Sequence, residues 1–319
     1  MPSVFEDLPN EILFEIFEYT QLIDLAQGFW DLNQRLNRLI RSLQFLSLRL
    51  TQSRTYESIF FAQQIIRLVI VTLDRITLQI FPNLRTLIIN WGQDDHLKEI
   101  RSEFLPNLVY LSLPLTFNPS STVALTTEVF SNRFTQLRYV DLGRICLPLH
   151  SSWSQSPSLR SIKLVCLNIN IIPRILRACL QLTHLQARIH GEHELDLSSL
   201  PILINHPLKH FIFHQPTTST FVFDLTQIFS LTPNIQRLDL RLCTRSFVDL
   251  LGFLAEHLLE LVRFTCHIIE YPNKEKHLEI DFLRNLHRSY HFIQCTLRED
   301  CFCLYTTTKQ RMKNLPNNV

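Results

Sequence analysis

Three groups of residues have types and spacing that could do chemistry. The segment HGEHELD carries His190, Glu192, His193, Glu194 and Asp196, a metal-ligand composition. His190 and His193 are three apart, but no third ligand is matched to them. The segment lies between a strand pattern and a helix pattern, where loops are polar, and it reads as a solvated loop. His291, Cys295, Cys301 and Cys303 can also be drawn as zinc ligands. Cys301 and Cys303 are two apart in an alternating strand pattern, so they share a face and pack as small apolar thiols. The third group is cationic: Arg188, His210, His214, Arg237 and Arg241, whose relation depends on the elements that carry them.

The common catalytic frameworks are missing. The five glycines (28, 92, 143, 191 and 252) are too far apart for a phosphate-cradling loop. Neither a G-x-S-x-G elbow nor an H-E-x-x-H pair is present. The expectation is therefore a binding protein and not an enzyme, with no cofactor and no metal.

The totals narrow the partners. The 319 residues carry 31 basic and 29 acidic side chains, a formal charge of +2, so no whole-protein field draws nucleic acid or an anionic membrane. Apolar residues make up 46%, enough for a continuous core. Charged residues interrupt every apolar run before it reaches bilayer length. The first residues, MPSVFEDLPNEILFEIFEY, contain five carboxylates and do not read as a secretory signal. A cytoplasmic or nuclear location is expected. The eight cysteines are scattered without a CxxC pair, which suits buried free thiols in a reducing compartment.

Most of the chain repeats. FPNLRTLII, LPNLVYLSL, FTQLRYVDL, SPSLRSIKL, CLQLTHLQA, NHPLKHFIF and TPNIQRLDL all follow L-x-x-L-x-L. Their first anchors are Leu84, Leu108, Leu137, Leu159, Leu182, Leu208 and Ile235, spaced 24, 29, 22, 23, 26 and 27 apart. Weaker copies start at Leu43, Ile65 and Leu259. Each copy predicts a short strand whose second and third anchors point into the core. IIPRILRAC and SFVDLLGFLAEHL predict amphipathic return helices, so strand and helix alternate. HFIQCTL and CFCLYT, with RED between them, predict a closing hairpin. The phase places Tyr110, Ser112, Tyr139, Asp141, Ser161 and Lys163 on the opposite face of the sheet. His184, Gln186, Arg188, His210, His214, Arg237, Asp239, Arg241 and Arg263 follow on that face. The second half of this face is cationic if its histidines protonate, with Asp239 the only acid, and suits an acidic or phosphorylated segment.

Ahead of the repeats lies a helical head. Pro9 suits a first helical turn, and Leu8, Ile12 and Ile16 recur four apart with Leu13 and Phe17 beside them. This helix is expected to stop near Thr20. Asp24 is placed as the cap of a second helix, and Asp31 or Asn33 as the start of a third through Leu32, Leu36, Leu39 and Ile40. Arg35, Arg38 and Arg41 read as the solvent edge of that third helix. Three helices of this length bury little alone and need a partner surface.

LPNEILFEIFEY followed by IDLAQGFWDLNQRLNRLI resembles an F-box. Leu8, Pro9, Glu11, Ile12, Leu13, Ile16, Phe17, Tyr19, Asp24 and Leu25 match its pattern. Thr20 stands where Leu is usual, and Leu32-Asn33 with Leu36 replaces the later Val-Cys and Trp. The repeats resemble leucine-rich repeats, with an Asn or Cys after the third anchor only at Cys243. The resemblance implies an α/β protein: a three-helix F-box-like head over residues 1–42, and an irregular leucine-rich-repeat solenoid with a hairpin cap over 43–306. A polar tail would follow over 307–319. It further implies a substrate receptor of an SCF-type cullin-RING ubiquitin ligase, with no nucleic-acid or membrane partner. A Skp-family adaptor would be gripped by Leu8, Pro9, Ile12, Ile16 and Leu25, and a target protein held on the repeats, where the phase, not the resemblance, brings Arg188, His210, His214, Arg237 and Arg241 onto one face. A scaffold that binds protein without any ligase, with the helices as a mere end cap, is the other reading.

Overall fold

A computed structural model of the chain describes residues 5–51, 61–146, 153–191, 205–215, 225–270, 280–298 and 302–307. It forms two compact units, Met1–Leu159 and Arg160–Val319, each mixed α/β with mostly parallel strands.

The first unit opens with three helices, α1 (Asn10–Tyr19), α2 (Leu22–Gly28) and α3 (Gln34–Ser42). Pro9 is the residue before α1, and its carbonyl accepts the Leu13 N–H at 3.1 Å. The Thr20 hydroxyl ends that helix by donating to the Ile16 carbonyl at 2.7 Å. Helix α2 begins earlier than expected, at Leu22, so Asp24 does not cap it. Asp24 sits inside the first turn, where a carboxylate still favours the helix dipole. Asn33 rather than Asp31 caps α3, its Oδ1 accepting the Leu36 N–H at 2.9 Å. Leu13, Phe17, Leu22, Leu25, Leu36 and Ile40 close the head's core. The ring of Phe29 stacks on Phe5 at 5.0 Å and tilts against Phe17 at 5.2 Å.

Five strands follow in this unit: β1 (Leu46–Leu50), β2 (Ile65–Ile70), β3 (Thr86–Ile89), β4 (Tyr110–Ser112) and β5 (Tyr139–Arg144). They pair parallel in chain order, and Leu48, Leu68, Leu87, Leu111 and Val140 stack as one buried row. Helices α4 (Asp94–Glu99) and α5 (Val123–Phe130) lie in the connections. The register corrects the first repeat. Leu48 and Leu50, not Leu46 and Leu48, align with Leu68 and Ile70, because the pairing shifts between Leu46 and Ser47. At the end of β5, Gly143 adopts φ 61°, and a Cβ there would stand 2.4 Å from the Pro114 carbonyl oxygen. Only glycine fits that approach.

The second unit carries β6 (Ser161–Cys166), β7 (His184–Ile189), β8 (His210–His214), β9 (Arg237–Thr244) and β10 (Arg263–Glu270). Neighbours from β6 to β10 pair parallel. Helices α6 (Ile171–Ala178), α7 (Thr226–Leu231), α8 (Phe247–His257) and α9 (Ile280–Leu286) alternate with or follow these strands. Ile162, Leu185, Phe211, Leu238 and Phe264 form one buried row, and Leu164, Ala187, Phe213, Leu240 and Cys266 form the next. The first anchors Leu84, Leu108, Leu137, Leu159, Leu182, Leu208 and Ile235 are all buried, so the repeat phase holds from 84 to 240. It fails at the last copy. Leu259 and Val262 are 73% and 65% exposed, and Leu261 is the buried anchor ahead of Phe264 and Cys266.

The expected hairpin is present as β11 (Gln294–Arg298) and β12 (Phe302–Thr306), antiparallel, with β12 also antiparallel to β10. Glu270 ties three elements together. One carboxylate oxygen accepts the Tyr305 hydroxyl at 2.8 Å and the other the Phe247 N–H at 2.9 Å, at the start of α8. Buried Gln215, the residue after β8, accepts the Cys243 N–H of β9 at 3.3 Å. Cys166, Cys179, Cys243 and Cys266 are buried free thiols, and burial pushes the Cys166 thiol up to about 12.

Candidate functional site

Two surfaces carry the residues singled out by the sequence. The first is on the head. Ile12 and Ile16, four apart, lie on one face of α1, and Leu8 and Pro9 are the two residues just before that helix. Pro9 is exposed, Ile12 is 43% exposed, and Leu8 and Ile16 are half-buried. Tyr19 adds a side chain 86% exposed, and Leu32 is exposed as well. Leu25 does not join them. It is fully buried in the head's core, so it cannot touch a partner and acts only by holding the helices together.

The basic edge of α3 is exposed at Arg35, Arg38 and Arg41, as read, and Arg35 also takes part in the packing of the head. Arg35 reaches back to the start of α1, where Nε donates to Asn10 Oδ1 at 2.9 Å and Nη2 to the Leu8 carbonyl at 2.6 Å. Nη1 donates to the Glu6 carbonyl. A rigid, five-donor guanidinium suits this role. Arg35 therefore fixes the backbone that presents Leu8 and Pro9. Arg41 lies over the Trp30 ring at 5.1 Å, a cation–π contact, and Trp30 meets buried Phe61 edge-on at 5.0 Å. The inner side of the head is thus packed, while α1 keeps apolar side chains outward.

The second surface is the exposed face of the sheet in the second unit. Register resolves it into three rows. Ser161, His184, His210, Arg237 and Arg263 lie opposite one another at the strand starts. Lys163, Gln186, Ile212, Asp239 and Thr265 come next. Val165, Arg188, His214, Arg241 and His267 form the third. The five sequence-predicted residues Arg188, His210, His214, Arg237 and Arg241 thus lie on one face. Phe211, Phe213, Leu238 and Leu240 are buried behind it.

The electrostatics of the rows differ. Asp239 Oδ1 stands 3.8 Å from both His214 Nε2 and Arg241 Nε, so it offsets the third row. In the first row the rings of His184 and His210 meet edge-to-face with centroids 4.2 Å apart. Burial lowers the imidazole pKa of both, and Arg237 lowers it further. At neutral pH these two rings stay uncharged, so the positive charge of the face comes mainly from arginine and lysine. The sequence pattern alone could not supply that, because the lowering comes first from burial and then from neighbouring charge.

The two metal-like groups do not assemble into a described site. Glu192, His193, Glu194 and Asp196, and likewise Cys301, lie outside the described residues. Cys295 is beside Cys303, and burial followed by that neighbour pushes its thiol up to about 11. Among the described residues no three ligating side chains converge, and no helix is long and apolar enough to cross a membrane. No family model matches the chain, and no curated protein matches it.

Proposed function

We propose that this chain is a substrate receptor: the head engages a Skp-family adaptor of an SCF-type cullin-RING ligase, and the repeat region holds a target protein for ubiquitin transfer by other subunits. In this reading the head is F-box-like, the strand–helix array is an irregular leucine-rich-repeat solenoid, and the chain itself does no chemistry. The observation that carries the proposal is the two-sided head. Its core is closed by Leu13, Phe17, Leu25, Leu36 and Ile40, yet Ile12 and Tyr19 on α1, and Pro9 just before it, remain outward. A side chain left apolar and exposed on an already completed core is a docking feature more than a structural one. Such contacts yield about 25 cal/mol per Å² of apolar area removed from water, before the cost of association.

The adaptor contacts proposed are Leu8, Pro9, Ile12 and Ile16. Replacing Leu8 and Pro9 by Ala is expected to abolish adaptor pull-down and leave the fold unchanged. Unchanged pull-down sinks the F-box assignment.

A second reading, a protein-binding scaffold with the head as an end cap, is favoured by one specific contact. Trp30 packs on Phe61, and Gln64 donates to the Arg41 carbonyl, so the inner side of the head does cover the residues just before β2. The two readings part on the outer side alone. A cap has no use for exposed Ile12 and Tyr19.

A further inference from the structure

The connections that leave β2, β3 and β4 in the first unit carry an exposed apolar ridge that neither surface above uses. We propose that this ridge docks a protein segment bearing a single Lys or Arg close to an apolar side chain. The cation sits over the Trp91 ring between Asp74 and Asp94, and the apolar side chain lies against Leu115. The proposal depends neither on what the head binds nor on the exposed sheet face.

Leu73, Trp91 and Leu115 are 53%, 59% and 55% exposed. Register places them together. Ile88 pairs with Ser112, and Trp91 and Leu115 each stand three residues further along. Ile70 pairs with Ile89, and Leu73 stands three residues beyond Ile70, level with Gly92 beside Trp91. Neighbouring strands are about 4.8 Å apart, so the three residues follow one another along one end of the sheet. A single exposed apolar residue is ordinary, whereas three in succession mark a contact surface.

Packing beneath holds the ridge in shape. A Cβ on Gly92 would meet the ring of buried Phe117 at 2.8 Å, so the backbone after Trp91 lies directly on the third connection. Buried His96 joins the first connection to the second. Its Nε2–H donates to the Asp74 carbonyl at 2.7 Å, and its Nδ1 accepts the Gln93 N–H at 3.0 Å. Little conformational freedom is left to lose when a partner docks.

Charge selects the occupant. Thr72 Oγ1 donates to Asp74 Oδ2 at 2.7 Å, and Ser121 Oγ donates to Asp94 Oδ2 at 2.5 Å, so both carboxylates are oriented. Asp74 follows Leu73 on one side of Trp91, and Asp94, tied to Ser121, lies toward the other. Among the described residues neither carboxylate has an ion-pair partner, and no cation lies over Trp91. The nearby bases are already engaged, Lys98 with Asp95 at 2.6 Å and Arg75 with Glu99 at 3.5 Å. The stretch from Leu113 to Thr122 carries no charged residue. Two uncompensated carboxylates thus stand beside an indole whose face itself attracts cations.

Arg144 limits the seat to one positive charge. It stands three residues beyond Asp141, the register partner of Ser112, and so comes next after Leu115 in the same row. A polybasic segment laid along the ridge meets that guanidinium. One Lys or Arg over Trp91, followed by an apolar side chain at Leu115, does not. The same two carboxylates oppose an anionic lipid surface.

The test uses the immobilised full chain and two degenerate nine-residue peptide pools. Each has a fixed lysine and, two residues later on the same side of an extended chain, a fixed leucine. The pools are identical except that the lysine is acetylated in one, which removes its charge. The expected result is about fivefold enrichment of the unmodified pool at low salt, falling below about twofold in about 0.5 M NaCl as the carboxylates are screened. Trp91→Ala abolishes the enrichment, and Trp91→Phe keeps part of it because an aromatic face remains. Asp74→Asn with Asp94→Asn lowers it at unchanged thermal unfolding temperature. Leu167→Ala, at an exposed leucine of the second unit, leaves it unchanged. Equal retention of the two pools overturns the site, as does enrichment that survives Trp91→Ala. So does a monomer–dimer equilibrium of the chain, or binding to phosphatidylcholine vesicles, that Trp91→Ala removes, since either gives the ridge another occupant. Adaptor binding is absent from the assay, so its result is separable from that of the ligase reading.

Discussion

Leu25 and Ile12 both match the same family pattern, yet they are expected to behave oppositely. Leu25 is 0% exposed within the head, and truncation to Ala removes three carbons from a closed core. The transfer and cavity contributions together give a loss of about 2–5 kcal/mol. Ile12 is 43% exposed, so a little over half of its removed carbons leave an apolar environment. At about 0.8 kcal/mol per buried carbon, Ile12→Ala costs about 1.4 kcal/mol, with no cavity because water fills the vacated place. Hydrogen exchange of the full chain, read on peptides covering α1 to α3, separates the two. Leu25→Ala should raise exchange throughout the head. Ile12→Ala should leave it close to wild type and still weaken adaptor capture. Equal exchange in the two variants would refute the inward placement of Leu25 and the outward placement of α1's apolar side.

The corrected last repeat makes a similar comparison: Leu261→Ala should cost about 2–5 kcal/mol in urea unfolding and Leu259→Ala less than about 0.5 kcal/mol, and the reverse order would restore the phase read from sequence. Gly143→Ala forces a Cβ into a left-handed backbone position and should lose at least about 1–2 kcal/mol, a loss that a native-like unfolding midpoint would contradict. His206 is buried, its Nδ1 accepting the Leu208 N–H and its Nε2–H donating to the Cys179 carbonyl, and burial lowers its pKa. The neutral form is favoured in the fold, so its stabilisation is complete above the unfolded histidine value of about 6.5 and is lost as pH falls below it. Urea unfolding at pH 7.5 and 5.5 should show that loss, reduced in His206→Asn, and no difference between the two proteins would exclude His206 as its source.

Much of the sheet was readable from periodicity because L-x-x-L-x-L constrains which residues face the core. Leu111, Leu142, Leu164, Leu185 and Leu238 are all buried as that phase requires. The pattern misled where apolar residues are adjacent. LLELVRF offers two registers, and only pairing of Phe264 with Leu238 selects Leu261 over Leu259. Leu25 illustrates a different limit. Matching a docking motif does not distinguish residues that touch a partner from those that support them, since both are apolar. Arg35 is exposed as read, but periodicity could not show its hydrogen bonds, whose acceptors are carbonyls at Glu6 and Leu8, almost thirty residues away. The neutralising position of Asp239 was likewise invisible, since composition counts one acid among many bases. Distances of 3.8 Å to His214 and Arg241 show which bases it serves.

The central claim is that the outer side of α1 docks an adaptor, and direct titration tests it. The purified full chain is titrated calorimetrically into a purified Skp-family adaptor, alongside an Ile12→Asp variant whose unfolding midpoint matches wild type. The account predicts a one-to-one complex for wild type and at least a hundredfold weaker binding for Ile12→Asp, which buries an unpaired carboxylate at the contact. Absence of binding by the wild-type chain, or equal affinity of the two proteins, would contradict it.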